Sequence, residues 1–589
     1  MSTHCVRGAQ PLVLLLLAAT AWAQPLPRAF DTVAELCAAT DLSTGEVVTV
    51  KGYRQPADAG GGTFRYDPES SLPADAGSCF ALNTAAGRVL RVVDREAEAY
   101  AEWFGAYADG DSATAHDDHD AINRCLAAYG RVSLRAKVYG VRGIPSPAGP
   151  GATYHALDLG PNYRIAGAGR EQTTIRLLDG TNPHGNGPFE NYFILLFNRG
   201  FYESAENVVI RDLTLDCNFD AQDKRTTIHA VGIRGGGALV ERVNFRRYGT
   251  GHNPDGPSSR ECFVIHQTLV YKDASSSRRA AVYRDLDFSD PGHNGMLTGS
   301  VGEITHMALG GANNFENASW ITAKGADPAF DPAHGGENEN NWWPASGGLV
   351  ENCLIENEVY DPGVQKSPLN GITYADCIGL TIRGNRVLNF EGAAVFTMSW
   401  WNRNVVIIDN QFRKVTTGIA LCLQSADAKP VQCPRHENVL IAHNEIETGN
   451  DAHAPWGTCA ISLFGGDMPA EVRMRSVHIR ENTLRGRAYA GAKGVRACPL
   501  GIKVQILRAL YHDLRIEDNR FDFPEVPETV WIPAEPDACS LMYFPLALWA
   551  DATQAGGIVY RGNRNLAGKV LYPFLVDWYF DKPSSWGRQ

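Results

Sequence analysis

This chain has no C-x-x-C pair, no sustained 3.6-residue apolar period, no surplus of positive charge and, past its first residues, no long apolar run. Each absence excludes something. Without closely paired cysteines the usual structural zinc pattern is missing. Without a 3.6-residue period, helical solenoids are out. A formal net charge of −12 argues against nucleic acid as a partner and gives no global attraction for a polyanion. No later stretch reaches the roughly 18 apolar residues that a membrane helix needs, so no membrane span is expected.

The one apolar run, "PLVLLLLAAT" at 11–20, follows Arg7 and precedes "AWA" at 21–23. That order predicts a signal peptide over 1–23, a mature chain from near Gln24 and a secreted or periplasmic location. Of the 13 cysteines, Cys5 leaves with the signal. In an oxidising compartment Cys422–Cys433 and Cys37–Cys79 are candidate bridges. Cys217, Cys353 and Cys377 sit in apolar runs and read as small buried hydrophobes.

What is present is a sentence written six times. "GLTIRGNRVLNF", "NVVIIDNQFRKV", "NVLIAHNEIETG", "SVHIRENTLRGR", "DLRIEDNRFDFP" and "GIVYRGNRNLAG" each put Asn in one place, at 385, 410, 444, 482, 519 and 563. The units recur every 25 to 45 residues or so, with second apolar runs such as "GITYADC" and "TGIALCL" between them. Period-two apolar residues indicate strands. Asn suits a left-handed bend. If coils stack, the amides stack and satisfy one another. The fold these features specify is all-β: a parallel β-helix of short strands and sharp corners. Weaker coils extend upstream through 207–219, 238–249, 281–290 and 348–359. The expected organisation is a small α/β N-terminal capping region over 24–130, with one helix from about Asp118 to Tyr129. The solenoid follows over 131–570, with insertions near 250–260, 310–347 and 424–436, and then a tail over 571–589.

"GYRQPADAGGGTFRYDP" followed by "FGAYADGD…DDHDAINRCLA" resembles the N-terminal region of the pectate-lyase-type single-stranded right-handed β-helix superfamily, which includes phage tailspikes, polygalacturonases and exo-glucanases. The resemblance covers nearly the whole mature chain. It implies a polysaccharide as ligand class and leaves the chemistry open, because the polygalacturonase motifs are not visible. Asp117–Asp118 belongs to this N-terminal motif, and helix capping is the role expected of it.

A filled β-helix binds substrate on an outer wall. Sugar binding uses aromatic faces and polar forks, for which Trp342, Trp343, Trp400, Trp401, Asn370 and Tyr374 are candidates. Glycoside hydrolysis needs two carboxyl groups about 5–9 Å apart, and coils about 4.8 Å apart can supply them from neighbouring rungs. The richest segment, "EVYDPGVQKSPLNGITYADC" at 358–377, offers Asp361, Lys366 and Asp376. Glu391 stands one coil on, and Glu261 and His293 lie upstream. The bland readings are a turn former for Asp361 and solvated surface for Glu391 and Asp376. The expected activity is carboxylate acid–base cleavage of an extended polysaccharide, without a cofactor. One alternative is a polysaccharide lyase with Lys366, Tyr374 or His293 as base and carboxylate-held Ca²⁺. The other is a non-catalytic glycan-binding or tailspike-like β-helix. Oligomeric state is left open.

Overall fold

The computed structural model describes residues 27–93, 98–145, 154–181, 192–198, 205–223, 227–249, 264–268, 280–290, 304–307, 345–356, 370–374, 377–399, 401–423, 435–449, 459–465, 472–486, 489–490, 496–497, 500–505, 509–522, 546–549, 558–569 and 574–575. The predicted signal segment lies outside them. So do Cys433 and the side chains of Cys377 and Cys422. Two compact units are present, dividing near residue 93.

The smaller unit is a sheet in which Val47–Gly52, Gly62–Asp67, Arg88–Arg91 and Cys79–Ala81 run antiparallel. Arg28–Thr32 adds to Val47–Gly52 in parallel. Val48, Phe64 and Val89 are fully buried on alternate positions, the period-two signature of a half-buried sheet. Cys37 and Cys79 do not form the expected bridge. Cys79 sits in the sheet with its Sγ 3.9 Å from the Leu72 carbonyl oxygen.

The larger unit is a parallel β-helix. Its ladder joins 33 strands, from Arg131–Ser133 to Phe574–Leu575, pairing coil with coil in parallel apart from one short antiparallel hairpin at its start. One inner file shows why the sequence does this. Ile210, Val240, Tyr283, Val350, Ile382, Ile407, Ile441, Ile479 and Ile516 stand in register on successive coils. All are at most 2% exposed. β-Branched side chains suit a pleated, packed surface, and burying each one contributes about 1.5–3 kcal/mol before chain entropy is counted. The helix His119–Tyr129 lies on the first strands and buries Ile122, Cys125 and Leu126.

The corner after this file carries the asparagines. Asn385, Asn410, Asn444, Asn482, Asn519 and Asn563 are 0–1% exposed. From Asn410 to Asn519, each Oδ1 accepts from the backbone N–H and the Nδ2 of the preceding ladder asparagine, at 2.9–3.1 Å. Each Nδ2 also donates to a strand carbonyl one coil back, as Asn444 does to Ile407 at 2.9 Å. The bend, however, is not made by Asn. The left-handed residue is one position earlier: Gly384, Asp409, His443, Glu481, Asp518 and Gly562, with φ between +54° and +68°. The asparagine is needed inside, where its amide replaces the missing ladder partners of the corner. At Gly384 a Cβ would lie 2.6 Å from Asn352 Oδ1, so a side chain there would displace the Asn352 amide.

Upstream the same inner position holds Leu213, Val243, Leu286 and Cys353, all buried. Cys353 is a transitional rung. Its N–H donates to Asn385 Oδ1 at 3.0 Å. Its Sγ lies 3.9 Å from the Tyr283 carbonyl, the place a ladder Nδ2 would address. The Leu286 N–H points at the same sulfur.

Candidate functional site

Most expected site residues lie outside the described residues: Asp361, Lys366, Asp376, His293, Glu261, Trp342, Trp343 and Trp400. Glu391 and Trp401 are placed by backbone only. Glu391 sits in the strand Arg386–Ser399, where the pairing to the next coil shifts register between Phe390 and Ala393. Such an irregularity re-aims side chains along a wall. Trp401 opens the strand Trp401–Ile408 and pairs with Arg435.

Asn370 and Tyr374 are described fully. Asn370 is half-buried, and its Oδ1 accepts from the Ala393 N–H at 3.1 Å. The Gly371 N–H donates to the Ala393 carbonyl at 2.9 Å. These bonds staple the end of the 358–371 segment to the strand that carries Glu391. Tyr374 is 1% exposed and packs in the core with Ile372. This corrects its expected role as a substrate contact. Strand parity turns Ile372 and Tyr374 inward and leaves Thr373 outward.

Asp117 caps the helix as expected, its Oδ1 accepting from the N–H of the first helical residue, His119, at 3.1 Å, whereas Asp118 does other work. Asp118, fully buried, accepts from the backbone N–H groups of Tyr107 and Ala108 at 2.6 and 3.1 Å and makes no cap bond. Burial pushes its carboxyl up to about 6. Asp117 accepts from the Arg142 N–H at 3.0 Å and pairs with His119 Nδ1 at 2.8 Å. Both acids pin loops.

The described residues also form a cleft of about 570 Å³ that was not anticipated. At most corners one left-handed residue turns the chain. Between Arg164–Ala166 and Thr174–Leu177 the turn is instead a long loop, 167–173. It is anchored on several coils. Thr173 Oγ1 donates to the Arg135 carbonyl at 2.8 Å, and Gly169 N–H to the Asp212 carbonyl at 3.0 Å. Glu171 Oε1 accepts from Asn244 Nδ2 at 2.9 Å, and Arg170 Nη1 donates to the Asp285 carbonyl at 3.3 Å. The loop thus straps the corner, and the cleft lies along it.

One wall of the cleft is the row of left-handed corner residues Asp212, Arg242, Asp285 and Asn352. Leu354 gives it apolar surface, and Leu286 and Asp287 complete the lining. Arg242 is held by Asp212 through two bonds of 2.6 and 3.0 Å and by Glu241 at 2.8 Å. Those hydrogen bonds, Asp212 foremost, raise its guanidinium further above an already high value. Burial pushes the Glu241 carboxyl up, but bonds from Arg284 and Arg242 outweigh it and hold the group below the usual range. Asp287 accepts from the Ser289 N–H at 2.9 Å and has no ion-pair partner among the described residues. Only the corner row of this cleft has a signal in the sequence. Indexing the residue before each ladder position yields Asp212, Arg242, Asp285 and Asn352 as one row, half-buried except for the exposed Asn352.

Among the described residues no group of three or more metal-ligating side chains occurs, and no helix is long and apolar enough to cross a membrane.

Residues 29–94 match the family described as phage tail protein small four-stranded β-sheet domain. The match concerns the smaller unit, whose four antiparallel strands fit that description. Comparison with curated proteins gives no match. Among solved structures the chain is similar to the Azotobacter vinelandii mannuronan C-5 epimerase AlgE4 A-module, at 13% identity and TM-score 0.32, over 81% of this chain and 100% of that one. It is similar to the Dettilon tailspike protein gp208, at 10% identity and TM-score 0.44, over 79% and 70%. It is also similar to PfbA, a surface adhesin of Streptococcus pneumoniae, at 15% identity and TM-score 0.42, over 72% and 92%. The fold itself rests on strand register: a continuous parallel ladder with ordered corners makes this chain a parallel β-helix protein.

Proposed function

We propose that this protein is an exported enzyme that cleaves glycosidic bonds of an extended polysaccharide on the outer wall of its β-helix, by carboxylate acid–base hydrolysis. The observation that supports this reading is the staple between Asn370–Gly371 and Ala393. It ties residues 370–371, which follow Asp361 and Lys366 in the sequence, to the strand holding Glu391. Coils about 4.8 Å apart bring acids on neighbouring rungs within the separation that glycoside hydrolysis uses. One carboxylic acid protonates the leaving glycosidic oxygen, and the other attacks C1 or activates water. Asp361 and Glu391 are the proposed pair, with Asp376 as the nearest further acid. Glu261 and His293 are assigned to flanking positions, and Lys366 to substrate anchoring. Trp342, Trp343, Trp400 and Trp401 are proposed to stack on sugar rings.

The test is a panel of polysaccharides digested by the wild type, Asp361→Ala and Glu391→Ala. New reducing ends without the ultraviolet absorbance of an unsaturated uronate are expected from the wild type alone. Absorbance rising with bond cleavage would replace hydrolysis by elimination. Binding without any cleavage would leave a glycan-binding β-helix.

A further inference from the structure

We propose that the cleft along the 167–173 loop is a second carbohydrate site, apart from the bond-cleaving residues, that holds a neutral sugar unit. The polymer it serves follows from the polysaccharide reading above; the site itself is argued from its own lining.

A pyranose ring presents an apolar C–H face and a rim of hydroxyls, each both donor and acceptor. The cleft matches both parts. Leu354 gives it apolar surface. Asp285 and Asp287 line it with carboxylate acceptors; the Asp285 side chain is 38% exposed and lies 4.0 Å from Arg284 Nε. Arg170 spends one N–H on the Asp285 carbonyl and stands over the opening with further donors. The Asn352 amide supplies a donor and an acceptor at the next corner. A cavity of about 570 Å³ lies within the 300–1,000 Å³ or so typical of small-molecule sites.

Charge selects among sugars. The lining carries Arg170 and Arg242 against Asp212, Asp285 and Asp287. Arg242 is already committed to Asp212 and Glu241. An acidic sugar would therefore meet the Asp287 carboxylate, unpaired among the described residues, and Asp285, held only by a long 4.0 Å contact to an Arg284 already bonded to Glu241. With one available guanidinium against them, a neutral hexose or N-acetylated hexosamine fits and a uronate does not. The site is also rigid. Corner residues fixed in register form one wall, and the loop opposite is pinned to several coils. Little ordering cost remains on binding.

The test uses the full chain with neutral gluco-, manno-, galacto- and N-acetylhexosamine oligosaccharides and with uronate oligomers. Binding is read by calorimetry and by hydrogen–deuterium exchange. At least one neutral series is expected to slow exchange in peptides containing 167–173 and 285–288. Asp287→Ala and Arg170→Ala are expected to weaken that binding about tenfold or more, the loss of one charge-assisted bond each. Leu354→Trp, which fills the cleft without removing a charge, is expected to abolish it. Asp361→Ala should leave the protection intact. The inference falls if no neutral oligosaccharide protects those peptides, if uronates protect them better, or if the three cleft variants bind like the wild type. Polymer cleavage with a silent cleft would sink this site and spare the enzymatic reading. Protection of the cleft without any cleavage would do the reverse.

Discussion

Replacing Asn444 by alanine should cost far more than replacing any exposed corner asparagine, because four hydrogen bonds of a dry ladder end on it. Its Oδ1 accepts from the Asn410 N–H at 3.1 Å and from Asn410 Nδ2 at 2.9 Å. Its Nδ2 donates to the Ile407 carbonyl and to Asn482 Oδ1, both at 2.9 Å. The side chain is 1% exposed. In the alanine variant two donors of Asn410 lose their acceptor in the core. Asn482 Oδ1 keeps the Asn444 N–H at 3.0 Å, so it is not orphaned. A buried polar group left unmade costs about 1–3 kcal/mol, so the two donors together cost about 2–6 kcal/mol. That is a large fraction of a typical folding free energy of about 5–15 kcal/mol. Asn438→Gly is the control. Asn438 is left-handed at φ +54° and makes one exposed bond to Asn404 at 3.0 Å, so glycine there should change little. Asn444→Asp should be worse than alanine at neutral pH, since it buries a charge and loses both donors. The assay is urea unfolding followed by circular dichroism, with hydrogen exchange to locate partial opening in a repeat fold. If Asn444→Ala unfolds within about 1 kcal/mol of the wild type, or no lower than Asn438→Gly, the ladder is not what holds the corners.

Three further outcomes follow from other rungs. His436 is fully buried beside Asn402, and burial pushes its imidazole down to about 3. Because the folded value lies below the unfolded one of about 6.5, this neutral histidine stabilises the fold above that pH. The contribution drains away as pH falls towards 3, by about 5 kcal/mol in all. His436→Gln should flatten that part of the pH–stability curve, measured as unfolding midpoints between pH 7 and 4, and an unchanged slope would contradict it. Cys353→Asn should extend the ladder one rung and stabilise by about 1 kcal/mol, read by thermal unfolding. In the native wild type, burial pushes the Cys353 thiol up to about 12, so peptide mapping after alkylation should find it unmodified.

The solenoid was legible because its physics repeats. Six asparagines at one register, each after a β-branched run, have no simpler explanation than stacked coils. The periodicity did not reveal which residue turns the corner, since side-chain burial and backbone handedness fall on neighbouring positions. Cys353 read correctly as buried, but its place as a ladder rung depends on the Tyr283 carbonyl 70 residues away. Tyr374 was misjudged through strand parity, which a run of three residues cannot fix from sequence. The cleft escaped because its parts are brought together by coil stacking. Arg170 meets the Asp285 carbonyl across 115 residues, and only the strand pairing sets that distance in space.

The most direct measurement of the central claim is digestion of a cleaved glycan in ¹⁸O-labelled water, with mass analysis of the new ends. Hydrolysis on the wall by Asp361 and Glu391 predicts one solvent oxygen at each new reducing end, lost together with all cleavage in Asp361→Ala and Glu391→Ala. Products without solvent oxygen, or full cleavage by both variants, would contradict it.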